Sequence, residues 1–62
     1  MDWLKKMRIE QGLKQEQVAA AAGIERAYYS MIETGKRKPS VTIAQAIATA
    51  LGFEWTRFFE QH

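Results

Sequence analysis

Residues 15–32, QEQVAAAAGIERAYYSMI, decide the architecture of this chain. The stretch divides at Gly23 into two short helical segments. The first, residues 15–22, is rich in alanine, the residue of highest helix propensity. Gly23 can take a positive φ without steric cost, so it can end that helix and reverse the chain. Val18, Ala22, Ile24, Tyr29 and Ile32 can all face inward across the two segments, and Ala19 is small where they would cross closely. No proline interrupts the run. This is the spacing of a helix-turn-helix, whose second helix keeps one face free for an outside partner.

Working outward, the pattern predicts five helices and no strand, since apolar and polar residues nowhere alternate persistently. The first covers residues 3–11, with Asp2 as its N-cap and Leu4, Met7 and Gln11 along one stripe beside Trp3. Gly12 closes it. The second and third cover residues 15–22 and 25–34, and Gly35 stops the third. Pro39 and Ser40 open a fourth over residues 41–51, which buries Ala44, Ile47, Ala48 and Leu51. Gly52 ends it, and residues 54–60 form a last, aromatic-rich helix.

Sixty-two residues allow a single domain, 1–62. A chain this short buries only about 60% of its unfolded surface, so association would help it. A hydrophobic fraction of 47% with 26% charged residues is globular rather than disordered. No apolar run is long enough to span a membrane, and MDWLKK lacks a signal-peptide pattern, so a cytoplasmic protein is expected. With no cysteine, neither disulfides nor a thiolate metal site is available. Net charge is only +2, but its distribution is uneven. No charged residue falls within 39–53, while Lys36, Arg37 and Lys38 stand together just before it. Such a triplet is a solvated loop on many proteins; directly after an outward-facing helix it becomes a candidate phosphate contact.

The chain resembles the Cro/repressor helix-turn-helix family, also called the XRE family. LKKMRIEQGLKQEQVA (4–19) resembles its opening helix and Leu-x-Gln-x-x-Leu-Ala entry to the second. AAGIERAYYSMIETGKRKPS (21–40) resembles its turn, recognition helix and Gly-Lys-x-x-Pro-Ser exit, and IAQAIATALGFEWTRFF (43–59) its closing helices. The resemblance implies an all-α, compact five-helix domain. It also implies binding to double-stranded DNA, commonly as a symmetric dimer, with the third helix in the major groove.

It further implies roles for individual residues. Arg8 and Glu33 match an ion pair tying the first helix to the end of the recognition helix. Gln15 matches a position that touches the DNA backbone and braces that helix. Glu25, Arg26, Ala27 and Met31 match the base-facing positions. Arg26 suits guanine, whose O6 and N7 a guanidinium can bond bidentately; Ala27 and Met31 suit thymine methyls. Glu25 stands where the family has Ser or Thr, and can complement the helix dipole, orient Arg26 or accept from cytosine. Tyr29 takes an aliphatic position, which predicts a core ring with its hydroxyl at the surface, leaving Tyr28 to face the DNA backbone. Thr34, Gly35, Lys36 and Lys38 match backbone-contacting positions. Lys14 replaces the usual Ser or Thr cap of the second helix.

Phe53, Trp55, Phe58 and Phe59 crowd the C-terminal end. Four large aromatics are many for so small a domain to hide, and aromatics favour interface cores. Trp55, Phe58 and Phe59 are therefore candidates for a homodimer interface that spaces two recognition helices about 34 Å apart on a palindromic operator. The expected function is sequence-specific transcriptional regulation, with no cofactor, metal, small-molecule ligand or membrane involved. An alternative keeps the fold as a protein-interaction module, an antitoxin or anti-repressor, working through the aromatic face. Catalysis is not expected. His62 is the only histidine, no serine has a base beside it, and the carboxylates are scattered.

Overall fold

The computed structural model describes residues 1–60. Four α-helices precede a 3₁₀ turn: α1 (Asp2–Glu10), α2 (Gln15–Ala22), α3 (Arg26–Glu33), α4 (Val41–Leu51) and the turn Trp55–Phe59. No strand occurs among the described residues. The all-α expectation holds, and α2 and α4 have the predicted bounds.

Three boundaries differ, each for a physical reason. α1 begins at Asp2, with Met1 at its N-cap, and the Met1 carbonyl accepts from the amides of Leu4 and Lys5 at 3.2 and 3.3 Å. Asp2 therefore does not cap the helix; it lies in the first turn, where its charge favours the exposed amides. α3 is one residue shorter at each end, with Glu25 as N-cap and Thr34 as C-cap. The fifth helix is a 3₁₀ turn. Five residues between extended Glu54 and Glu60 are too few to offset α-helix nucleation, and the tighter helix serves such short pieces.

The core is one cluster of Leu4, Val18, Ala19, Tyr29, Ile32, Ala44, Ile47, Leu51 and Phe58. Every predicted inward residue of α4 is buried. α2 is the hub, packed on both α3 and α4, while the 3₁₀ turn packs on α4 and α1 reaches α3. Fully burying a Leu or Ile side chain stabilises by about 1.5–3 kcal/mol, so this cluster supplies most of the folding drive. The predicted stripe of α1 survives as fully buried Leu4 with half-buried Met7. Gln11 leaves it, because the helix has already ended; its amide instead donates to the Leu51 carbonyl at 2.7 Å, tying α1 to the end of α4.

The corner between α2 and α3 is set by Gly23, at φ 72° and ψ 30°. Its amide donates to Ala20 O at 3.1 Å and the Ile24 amide to Ala19 O at 2.9 Å, satisfying carbonyls that α2 leaves open. At the other end of α2 the Gln17 side chain accepts from the Lys14 amide at 2.8 Å. Lys14 has no acceptor to return the bond, so only half of a capping box forms.

Candidate nucleic-acid interface

The recognition helix α3 is held from behind by a buried ion pair. Arg8 Nε donates to Glu33 Oε2 at 2.9 Å and the second guanidinium nitrogen, Nη2, to Oε1 at 3.0 Å. Two parallel bonds of this kind are the strong form of the interaction. Arg8 is 8% exposed and Glu33 5%. A third guanidinium nitrogen, Nη1, donates to the Leu13 carbonyl at 2.7 Å, which fixes the α1–α2 connection as well. Hydrogen bonding to Glu33 raises the Arg8 pKa. Burial pulls the Glu33 carboxyl upward, but the bonds it accepts outweigh that and hold it below the usual carboxylate range. The Met1 amino group also donates to the Glu33 carbonyl at 2.8 Å.

Gln15 joins this network from the first turn of α2. Its Nε2 donates to Glu33 Oε1 at 3.2 Å, so the amide braces α3 as a donor rather than an acceptor. A carboxamide nitrogen carries two N–H groups, so one remains for a phosphate. Tyr29 differs from expectation. Its ring is core, but its hydroxyl is buried beside the ion pair instead of reaching the surface, and finds no hydrogen-bond partner. Burial, reinforced by Glu33, pushes the phenol far above its ordinary range.

The outward side of α3 and its entry carry Glu25, Arg26 and Ala27, all exposed. Met31 lies one turn beyond Ala27 and is half-buried. Among the described residues the only ion pair is Arg8–Glu33, so Glu25 does not hold Arg26. Nor does the Glu25 side chain bond the helix amides, which leaves a charge at the positive end of α3.

Beyond α3 the chain is held by its own backbone. Gly35, at φ 82°, lets the Lys36 and Arg37 amides return to the Met31 carbonyl at 2.8 and 3.1 Å. The Thr34 and Gly35 amides are bonded to Ser30 and Ile32, and the Thr34 hydroxyl donates to Ser30 O and Met31 O. These donors are all occupied. Thr34 and Gly35 therefore shape the loop, and the exposed side chains of Lys36, Arg37 and Lys38 offer donors beyond it. Pro39 is buried behind them, and Ser40 Oγ accepts from the Ile43 amide to cap α4. Sequence reasoning placed Arg37 in the cationic triplet as a candidate phosphate contact but gave it no partner within the chain. In the structure its guanidinium carbon lies 5.7 Å from the Tyr28 ring centroid.

Towards the C-terminus the aromatics divide. Phe58 is buried against Trp3 and Phe53, with centroids 5.3 and 5.5 Å away, so it cannot present itself to a partner as expected. The 3₁₀ turn rotates it into the core. Trp3 also meets Phe53 edge-on, and the Arg57 guanidinium covers the Trp3 ring at 4.5 Å. Trp55 and Phe59 stay half-buried and pair with each other at 6.1 Å. Among the described residues no His, Cys, Asp or Glu side chains cluster in a way that could hold a metal ion, and no helix is long and apolar enough to cross a membrane. His62 lies outside the described residues.

A helix-turn-helix braced by a buried ion pair, with a cationic loop at its exit, defines a DNA-binding regulator fold. The family model described as Helix-turn-helix matches residues 4–58, and the chain belongs to this XRE-type family of DNA-binding transcriptional regulators. It is 62% identical over 58 residues to the uncharacterized HTH-type transcriptional regulator YqaF of Bacillus subtilis (strain 168), covering 94% of this chain and 76% of that one. It is 42% identical over 57 residues to the control protein C.MunI of a Mycoplasma species, covering 90% and 77%. The uncharacterized HTH-type transcriptional regulator y4dJ of Sinorhizobium fredii is 43% identical over 47 residues, with 76% and 61% covered. No solved structure matches.

Proposed function

We propose that the protein is a sequence-specific transcriptional regulator that inserts α3 into the major groove of a palindromic operator. The observation that carries this reading is the exposed Arg26–Ala27 face of α3, flanked on its exit side by three exposed cationic side chains. Arg26 reads guanine, Ala27 and Met31 meet thymine methyls, and Glu25 favours the start of α3 or a cytosine. Gln15, Tyr28, Lys36 and Lys38 grip phosphates, which sets register and makes affinity salt-dependent without choosing sequence. Relatives named as transcriptional regulators and as a control protein support a regulatory role.

Two copies act together. One copy measures 28 × 21 × 20 Å, shorter than the roughly 34 Å between successive half-sites, so each copy reads one half-site. Trp55 and Phe59, beside a shallow groove lined by Gln45, Thr49 and Glu54, supply the contact between copies.

Binding selection on randomised duplex DNA at two salt concentrations tests the whole reading. The expected result is an enriched palindrome with half-sites about one turn apart. Arg26→Ala should relax one position of it, at a cost of about 1–3 kcal/mol. Salt-sensitive binding with no enriched sequence would remove the base-reading roles. No binding at any salt would shift the weight to a protein-interaction module, an antitoxin or anti-repressor, working through the half-buried Trp55–Phe59 pair.

A further inference from the structure

We infer that Arg37 and Tyr28 form one preassembled phosphate clamp, in which the Tyr28 ring is the platform that orients the Arg37 guanidinium. The inference rests on the DNA-binding reading and adds to it the coupling between these two side chains. The backbone beneath Arg37 is fixed at both ends. Its own amide and that of Lys36 bond the Met31 carbonyl, and buried Pro39 holds the far side of the loop. From that anchored position the side chain folds back toward α3 and places its guanidinium carbon 5.7 Å from the Tyr28 centroid, within cation–π range. Arg37 makes no ion pair with any described residue. A guanidinium lying against a ring keeps its N–H fork free at the edges, the geometry that suits the oxygens of a phosphate.

The contrast with its neighbours gives the clamp its meaning. Lys36 and Lys38 are exposed ammonium groups on flexible stems, which must be ordered when they meet a phosphate. Arg37 is partly ordered beforehand, so less freedom is lost on binding. Tyr28 thus has two separable parts. The ring orients Arg37, and the hydroxyl is a further donor to the same stretch of backbone. Arg37 touches the phosphate directly; the Tyr28 ring is a positioning group. Neither part reads a base, so the clamp strengthens binding to every duplex alike.

The test is the affinity for one duplex at several salt concentrations, for the whole chain and for Arg37→Gln, Tyr28→Phe, Tyr28→Leu and the Tyr28→Leu/Arg37→Gln pair, with Lys6→Gln on α1 as a control for net charge. Arg37→Gln should flatten the slope of log K against log salt by about 0.9, the change for one phosphate contact, whereas Lys6→Gln should not. Tyr28→Leu should lower affinity further than Tyr28→Phe. Its effect should shrink about two- to fivefold once Arg37 is already Gln, the size of an exposed cation–π contact. A nuclear magnetic resonance readout needs no DNA: Arg37 side-chain protons should be shifted upfield by the Tyr28 ring, in the wild type and in Tyr28→Phe but not in Tyr28→Leu. Strictly additive losses, or an Arg37→Gln slope equal to that of Lys6→Gln, would overturn the clamp while leaving DNA binding in place. A wild-type chain that binds no duplex would overturn both.

Discussion

Glu33 is the residue on which most of the site converges. It accepts from Arg8 twice and from Gln15 once, and it sits in the last turn of α3, so one carboxylate links three helices. Removing either partner of a buried ion pair costs about 3–5 kcal/mol. That is a large share of the roughly 3–9 kcal/mol expected for a domain of this size. The sign of the pH effect follows from the depressed Glu33 pKa. The carboxylate stabilises the fold above its unfolded value near 4.3, and that contribution is lost as the pH falls through the lower folded value. Urea unfolding of wild type and Glu33→Gln should therefore show a stability gap that is full at pH 6 and narrows below about pH 4.3. A gap unchanged down to pH 3 would contradict the role given to this carboxylate. Tyr29 predicts the opposite kind of result. Its hydroxyl is buried without a partner, and such a group costs about 1–3 kcal/mol. Tyr29→Phe should raise the unfolding midpoint, by about 1 kcal/mol of stability; a loss of that size would mean the hydroxyl is bonded in solution.

At the scale of elements, the helices were legible where the chain carries its own punctuation. Gly23, Ser40 and Gly52 mark the ends of α2 and α4, and those bounds came out as read. The buried face of α4 followed from helical spacing alone. Past Gly52 the reading placed a helix correctly but not its type. Residues 54–60 read as a helix, and adjacent Phe58 and Phe59 could not be assigned inside or outside until the tighter 3₁₀ turn was known. The Arg37–Tyr28 contact was equally hidden, because it depends on a loop folding back rather than on spacing along one helix. The direction of the Tyr29 hydroxyl was hidden for a related reason, since a residue type announces a polar tip but not its neighbours. Gly35 shows what a legible terminator does. A Cβ there would meet nothing within 4 Å, so only its φ of 82° resists substitution. Gly35→Ala should then cost about 1–2 kcal/mol in thermal or urea unfolding, the penalty of a left-handed residue. A markedly larger loss would reveal a contact the free loop does not make.

Taken as a whole, the molecule separates its two surfaces. One surface carries α3 and the cationic loop, and α3 is not packed on the turn that bears the other. The other carries the Trp55–Phe59 pair on the turn that packs against α4. The separation makes association testable without disturbing DNA contact. Trp55→Lys should leave the fold intact, because the ring is only half-buried, and should abolish the proposed dimer in light scattering. Binding to a single half-site should persist, and cooperative binding to the full palindrome should be lost. An unchanged mass, or a wild type that stays monomeric at high concentration and on DNA, would place the contact elsewhere or remove it. This division was only partly readable from composition. The neutral stretch 39–53 and the aromatic tail pointed to an association surface, but the tail also fills the core through Phe58.

The Arg8–Glu33 pair has a consequence for how this motif can be moved. Each motif helix is eight residues long, below the dozen or so at which an isolated helix becomes even marginal in water. α3 keeps its shape because α1 grips its last turn and α2 packs against its inner face, with Tyr29 and Ile32 buried in the common core. Residues 15–34 are thus not a portable cassette. Cut out as a peptide they should give a coil-like circular dichroism spectrum. Grafted onto another scaffold they would need a surrogate for Arg8, a residue outside the segment a motif search would lift.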